Sequence, residues 1–421
     1  MKKIVLLSVY GDKNIGDAAI LQSSLKIIDK SIDRLSELTI FCADPKFLTL
    51  PKLNRLKINI AQKPYGYAIR HKGHFYSEIL KIFYFIEIFF FSGVYYALGK
   101  INLKFLPDAG FYSYIGIIQR ADSVFSIGGG YLRTKSKYKD YFGLLLTLLP
   151  IIIAKKFKKK IIFLPMSFGN FASSIHAKLS FNAIKDSVLY IRDEISLKTL
   201  NNMSPNYTLN ITTSPDLALY MNFEEANLAK KMRSKYIVMT ARVWFSNRKK
   251  QAYYENSLKL LIEFLWDSFQ IKTIFIPMTW NQNEDNDEEV AIRIQKKLSN
   301  RKSFEILNAK HPSEVLEILS KAYFSVCTRM HSAILSSVVK TPFICIEYEY
   351  KTSGFLKLMN LSKWNININN VTFDLLKDKV LKLKKEKNYS KIHKLLKTKH
   401  TQFKKEEDKL IEMLNKQLKT I

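Results

Sequence analysis

Short apolar runs, each closed by small or polar residues and followed by a segment of helical spacing, recur in two successive series. The first series has strand candidates at 4–9, 38–42, 123–127, 161–165 and 187–191, with helices at 17–30 and 141–155. After Asp216 the pattern pauses, and the polar stretch 224–235 suits a linker. It then restarts with strands at 236–241, 273–277, 303–306, 324–328 and 343–346, and helices at 253–269, 288–298, 312–321 and 331–339. Such alternation is what a parallel sheet with crossover helices requires. The 421 residues also exceed what a single core usually holds. The expected fold is therefore α/β, with two Rossmann-like doubly wound domains at 1–223 and 236–370 facing a central cleft. A Lys-rich C-terminal helical segment at 371–421 completes it.

Composition narrows the function classes. A hydrophobic fraction of 47% and an aromatic fraction of 13% belong to a packed enzyme rather than a disordered scaffold. The three cysteines, Cys42, Cys327 and Cys345, have neither metal-ligand spacing nor an even count, which argues for a reducing, cytoplasmic setting. The apolar run that opens the chain is too short for a secretory h-region and reads as a first strand. With 67 Lys and Arg against 37 Asp and Glu, the formal charge of +30 favours an anionic partner without choosing one. The stretch IFYFIEIFFFSGVYYALG at 82–99 approaches the length of a membrane span, but Glu87 lies in its middle. A buried or interfacial helix is expected there, compatible with peripheral contact with an anionic membrane.

In open α/β sheets ligands bind beyond the carboxyl ends of the strands, so the residues there carry the chemistry. The first such turn is Tyr10-Gly11-Asp12-Lys13-Asn14-Ile15-Gly16-Asp17. It opens a helix whose backbone amides and dipole can receive an anion; equally, Asn14 and Asp17 can serve only as caps. The second is Gly128-Gly129-Gly130, where a ligand or another backbone can approach closely, or where the chain merely turns. The third is Arg329-Met330-His331, at the mouth of another helix. An Arg fork can hold phosphate or carboxylate, and a His can move a proton near neutrality. The bland alternative is a structural ion pair for Arg329 and a capping role for His331. Lys351 follows the last strongly apolar strand in a polar loop and can neutralise a phosphate, although surface lysines abound.

Taken in order, these motifs resemble those of the polysaccharide pyruvyl transferases. The set comprises Asn14-x-Gly16-Asp17, Asp122 with Gly128-Gly129-Gly130, Arg192-Asp193 with Ser196, Pro215-Asp216-Leu217-Ala218, Arg242, Arg329-x-His331 and Tyr348-x-x-Lys351-x-x-Gly354. Departures include Ala18 where the family often has an acid, and Tyr131-Leu132-Arg133 where an Asp is usual. The resemblance implies a GT-B-like fold and phosphoenolpyruvate as co-substrate, with no further cofactor. It also implies a sugar, oligosaccharide or lipid-linked glycan acceptor for a capsule or other exopolysaccharide. On that footing Arg242, Arg329 and Lys351 would hold the donor, His331 would deliver the proton and Asp17 would orient or deprotonate the acceptor hydroxyl. Asn14, Gly16, Gly128, Gly129 and Gly130 would shape the substrate surface. No metal is expected, since cationic side chains can stabilise the phosphate and no His/Asp cluster has ligand spacing. Two rivals stand beside this reading. One is a GT-B nucleotide-sugar glycosyltransferase; the other is a non-catalytic basic protein that binds nucleic acid or an anionic membrane, whereas the transferase reading expects nucleic acid not to be a partner.

Overall fold

The computed structural model describes residues 1–9, 11, 13–42, 48–62, 109–205, 207–223, 236–280 and 286–420. The aromatic segment 82–99 and the linker 224–235 lie outside these. Contacts divide the chain into two units. One holds Met1–Gly11, Ile20–Asp216 and Lys409–Ile421; the other holds Asp12–Ala19 and Leu217–Asp408.

The first unit is built on a parallel sheet in the order β3-β2-β1-β4-β6-β7-β8, with β5 paired to β6. Its strands are β1 (Lys3–Val9), β2 (Ser36–Cys42), β3 (Leu56–Gln62), β4 (Ser123–Ser126), β5 (Gly129–Leu132), β6 (Lys160–Phe168), β7 (Val188–Ile191) and β8 (Asn210–Thr213). In β1 six of seven residues are buried, as befits a strand covered on both faces. The helices α1 (Ile15–Ser31), α2 (Ala109–Arg120), α3 (Tyr141–Lys156), α4 (Ser174–Ile184) and α5 (Glu194–Met203) cross between strands. Side chains set two of the starts: Ser173 accepts the His176 amide to begin α4, and Asp193 accepts the Ser196 amide to begin α5.

The second unit repeats the plan with the order β11-β10-β9-β12-β13-β14, again all parallel. Here β9 is Tyr236–Thr240, β10 Lys272–Phe275, β11 Phe304–Ile306, β12 Ser325–Cys327, β13 Phe343–Glu347 and β14 Asn365–Asn367. The intervening helices are α6 (Arg248–Phe269), α7 (Asp287–Lys297), α8 (Pro312–Lys321), α9 (Met330–Val338) and α10 (Tyr350–Leu358). Helix α9 is anchored by Ala333, Ile334 and Leu335, all fully buried. Each of the two larger side chains contributes about 1.5–3 kcal/mol by leaving water.

The structure differs from the sequence expectations at four places. The glycine run is not wholly a loop, because Gly129–Leu132 forms β5, which lies alongside β6. Lys351 lies in the first turn of α10 rather than in a loop. The tail is two helices, α11 (Phe373–Lys384) and α12 (Glu386–Lys419), and it is not a segment apart. Residues to Asp408 count with the second unit and those from Lys409 with the first, where Asn415 donates to the Ser31 carbonyl and Lys160 to that of Gln417. The turn ahead of α1, expected on the first domain, counts with the second unit. Its backbone explains this: the Ile15 amide donates to Met278 O at 2.9 Å, and Asn14 bridges to Thr279.

Candidate active site

In both sheets the strand order reverses beside the first strand, between β1 and β4 and between β9 and β12. Crevices for ligands form at such switch points. Ala241 and Arg242 follow β9, and Thr328 to His331 follow β12. The second sheet therefore delivers Arg242 and His331 from the two strands that flank its switch point.

The mouth of α9 is held from below by hydroxyls. Thr240 Oγ1 accepts the amides of Thr328 at 3.1 Å and Arg329 at 3.4 Å, and lies 3.0 Å from Ser332 Oγ. Ser332 in turn donates to the Arg329 carbonyl at 2.6 Å. Tyr254, fully buried on α6, places its hydroxyl 2.8 Å from Thr328 Oγ1, and burial pushes its phenol well above the usual range. Arg329 is the N-cap residue of α9, yet its side chain does not cap the helix. The amino end of this helix thus has no side-chain acceptor from its own cap, which suits an anion.

His331, in the first turn of α9 and half-buried, packs against Gly16. A Cβ added at Gly16 would lie 2.7 Å from the imidazole Cε1 and closer still to Nδ1 and Cγ. Gly16 is needed for this close approach. The turn that carries it is capped by Asn14, whose Oδ1 accepts the amides of Gly16 at 2.8 Å and Asp17 at 3.3 Å. Asn14 therefore works as a cap, and it also seats the glycine beneath the imidazole. Asp17 lies exposed in the first turn of α1.

The expected cations divide. Arg329 is buried, and its guanidinium forks the carboxylate of Asp287, with Nη2 at 2.6 Å and Nε at 3.1 and 3.2 Å from the two oxygens. The structural ion pair weighed for Arg329 is present, so part of its charge is already answered by a carboxylate. Arg242 is half-buried and lies over two aromatic rings, 4.5 Å from the centroid of Tyr348 and 5.5 Å from that of Trp244. These rings are 4.8 Å apart, and the backbone amide of Trp244 is held by Gln251 Oε1 at 3.0 Å. Lys351 follows Tyr348 by three residues, half-buried at the start of α10, whose N-cap Glu349 supplies no side-chain cap. The Arg242, Arg329, His331 and Lys351 segments thus all leave the carboxyl edge of one sheet, and the Asn14 turn joins them in the same unit. A Cβ at Gly354 would meet nothing within 4 Å, so no close approach requires that glycine.

Gly128, Gly129 and Gly130 belong to the first unit, just beyond β4. Gly129 has φ +119°, which L side chains rarely adopt. Beside it runs a hydroxyl chain that the sequence reading missed: Ser8 Oγ lies 3.0 Å from Ser126 Oγ, which lies 2.6 Å from the Tyr131 hydroxyl. Ser8 is buried at φ +66° within a register shift of β1. A serine interrupting an apolar strand at each side of the switch point was the available signal. Arg192 and Asp216 form a buried ion pair, with Arg192 Nε donating to Ser167 Oγ at 2.8 Å. Arg192, Asp193, Ser196 and Asp216 therefore have structural work in the first unit. Among the described residues no cluster of His, Cys, Asp or Glu could hold a metal, and no helix is long and apolar enough to cross a membrane.

Solved structures share this architecture across nearly the whole chain. The MnaA–UDP complex of S. aureus aligns with a TM-score of 0.54 at 13% identity, covering 93% of this chain and 91% of that one. The trehalose-6-phosphate synthase OtsA gives 0.56 at 11% identity, covering 100% and 99%. The UDP-GlcNAc 2-epimerase of Methanocaldococcus jannaschii gives 0.50 at 13%, covering 91% of each. At such identities the likeness speaks for the fold, which is of the GT-B kind. The family assignment comes from the sequence, where the polysaccharide pyruvyl transferase pattern matches residues 14–350. That match takes in most strands of both sheets, from the Asn14 cap to the start of α10, and the chain belongs to the polysaccharide pyruvyl transferase family.

Proposed function

We propose that this protein transfers the pyruvyl group of phosphoenolpyruvate to two hydroxyls of one sugar, closing a ketal on a cell-surface polysaccharide or its lipid-linked precursor. The observation that carries the reading is the packing of His331 on Gly16 at the uncapped mouth of α9, in the unit that also holds Arg242 and Lys351. The donor brings a carboxylate and a phosphate. Arg242, Lys351 and the first amides of α9 receive them, while Arg329 holds the helix mouth through Asp287.

In the reaction the first sugar hydroxyl forms a bond to the enol carbon C2, and His331 gives its proton to the methylene carbon C3, which becomes a methyl group. The hydroxyl proton leaves to a base, the role proposed for Asp17. Cleavage of the bond between C2 and the phosphate oxygen then releases inorganic phosphate. The second hydroxyl adds to C2 and loses its proton, which completes the ketal. The cations stabilise charge on the departing phosphate, so the chemistry calls for no metal and no cofactor beyond the donor. A precursor built on a lipid carrier at the inner membrane face fits a cytoplasmic protein with a net charge of +30.

The test incubates purified protein with labelled phosphoenolpyruvate and glycan acceptors, and in parallel with UDP-sugars. Acceptor-dependent phosphate release and a pyruvylated product support the proposal; sugar transfer from UDP-sugars would replace it with the glycosyltransferase reading, which the shared fold with the UDP complex favours. In the same assay His331→Ala loses turnover while retaining donor binding. Unchanged turnover would remove His331 from proton transfer.

A further inference from the structure

Asp287 has no counterpart among the residues that the sequence singled out. It is the first residue of α7, capped by Asn286, and its side chain is wholly buried at the positive end of that helix. Its carboxylate accepts the Arg329 fork and also the backbone amide of Met278 at 3.0 Å. Each partner leads to a different side of His331. Arg329 immediately precedes α9, and its carbonyl receives both the amide and the hydroxyl of Ser332, so fixing the guanidinium fixes the turn that presents the imidazole. Met278 leads the other way. Its carbonyl accepts the Ile15 amide, Trp280 N donates to Lys13 O at 3.2 Å, and Asn14 bridges to Thr279, so this segment is the bed on which the Gly16 turn lies. The Asp287 amide itself donates to Thr279 O at 3.1 Å.

The geometry points to Asp287 as a positioning residue that sets, through one carboxylate, both the helix mouth carrying His331 and the glycine turn packed against it. The inference rests on the role assigned to His331 above. A purely architectural ion pair predicts something different, because a buried pair replaced by apolar residues of similar volume often leaves stability unharmed. A positioning pair, so replaced, keeps the fold and loses the alignment.

The experiment uses the full chain and two variants, Asp287→Asn and the double Asp287→Leu/Arg329→Met. Melting temperature, kcat and KM for phosphoenolpyruvate are measured for each. The seven histidines are labelled at Cε1 with carbon-13, and the His331 resonance is identified by its loss in His331→Ala. The expected result is a displaced His331 resonance in both variants and a fall in kcat of about a hundredfold, the usual consequence of a misplacement near 1 Å. The double variant should melt within a few degrees of the parent while its kcat stays low. Recovery of kcat together with the melting temperature in the double variant would overturn the proposal, as would an unmoved His331 resonance in Asp287→Asn. If Asp287→Asn does not fold, the double variant decides. Should the parent not turn over phosphoenolpyruvate, the proposed function fails, and the resonance still reports whether Asp287 positions the imidazole.

Discussion

Replacing Gly16 with alanine separates stability from activity at this site. The glycine opens α1, and its φ is not of the left-handed kind, so the backbone accepts alanine without strain. Helix propensity favours alanine over glycine by up to about 1 kcal/mol. The cost falls instead on the imidazole, because the new methyl would lie 2.7 Å from Cε1 of His331 and closer to two other ring atoms. Carbon atoms rest about 3.5–4.0 Å apart, and the two nearer ring atoms set the displacement, so the ring must retreat by more than about 1 Å. Because Cγ is among the crowded atoms, the ring clears the methyl only by turning about χ1 or by a shift of its own helix turn. Crowding of this kind costs about 1–3 kcal/mol, partly offset by the helix gain, so the melting temperature should change by only a few degrees. If His331 is the general acid proposed above, its displacement by contrast costs about a hundredfold in turnover. The assay is steady-state phosphate release with saturating phosphoenolpyruvate, run beside differential scanning calorimetry, with Gly354→Ala as the control whose Cβ meets nothing. Gly16→Ala turnover within threefold of the parent would refute the claim that this contact places the imidazole.

Three further outcomes follow from the same contacts. Trp244→Ala removes one of the two rings beneath Arg242 and should raise KM for phosphoenolpyruvate by about 2- to 30-fold, the worth of roughly 0.5–2 kcal/mol, with kcat changed less; initial-rate kinetics check this. Asp216→Ala strands the buried Arg192 guanidinium and should cost about 3–5 kcal/mol in urea unfolding, whereas Asp216→Leu with Arg192→Met should cost much less. Burial pushes the Tyr190 phenol up to about 12, above the value near 10 of an unfolded chain. Its contribution is full below pH 10 and is lost as pH rises toward 12, because the unfolded chain releases the proton first; the total is at most about 2.7 kcal/mol. Tyr190→Phe should flatten that part of the stability curve, as measured by denaturant midpoints from pH 9 to 12.

The legibility of the site differs from residue to residue. Asn14, Gly16 and His331 could be named because each lies at the junction of an apolar run and a helical period, where the parallel α/β plan puts its ligands. Asp287 could not. It sits at a helix start with an ordinary acidic first turn, and its partner Arg329 lies 42 residues further on. Gly128 to Gly130 read as a turn because glycine masks strand propensity, and only pairing with β6 makes Gly129–Leu132 a strand. The last helices read as a separate segment because their lysines suggested a solvated face, while Ile392, Leu396 and Phe403 are buried in the part counted with the second unit and Leu410 and Leu414 in the part counted with the first.

By itself the sequence determined the class of fold, two series of buried strands with crossover helices, and the order of motifs that belongs to this family. Periodicity and capping are local properties, written within a few residues of where they act. Tertiary structure alone decided that Arg329 pairs with Asp287, that Arg242 rests on Trp244 and Tyr348, and that the turn before α1 is bonded into the second unit. Those outcomes depend on which strands lie side by side. That order arises from long-range pairing, which no window of neighbouring residues contains.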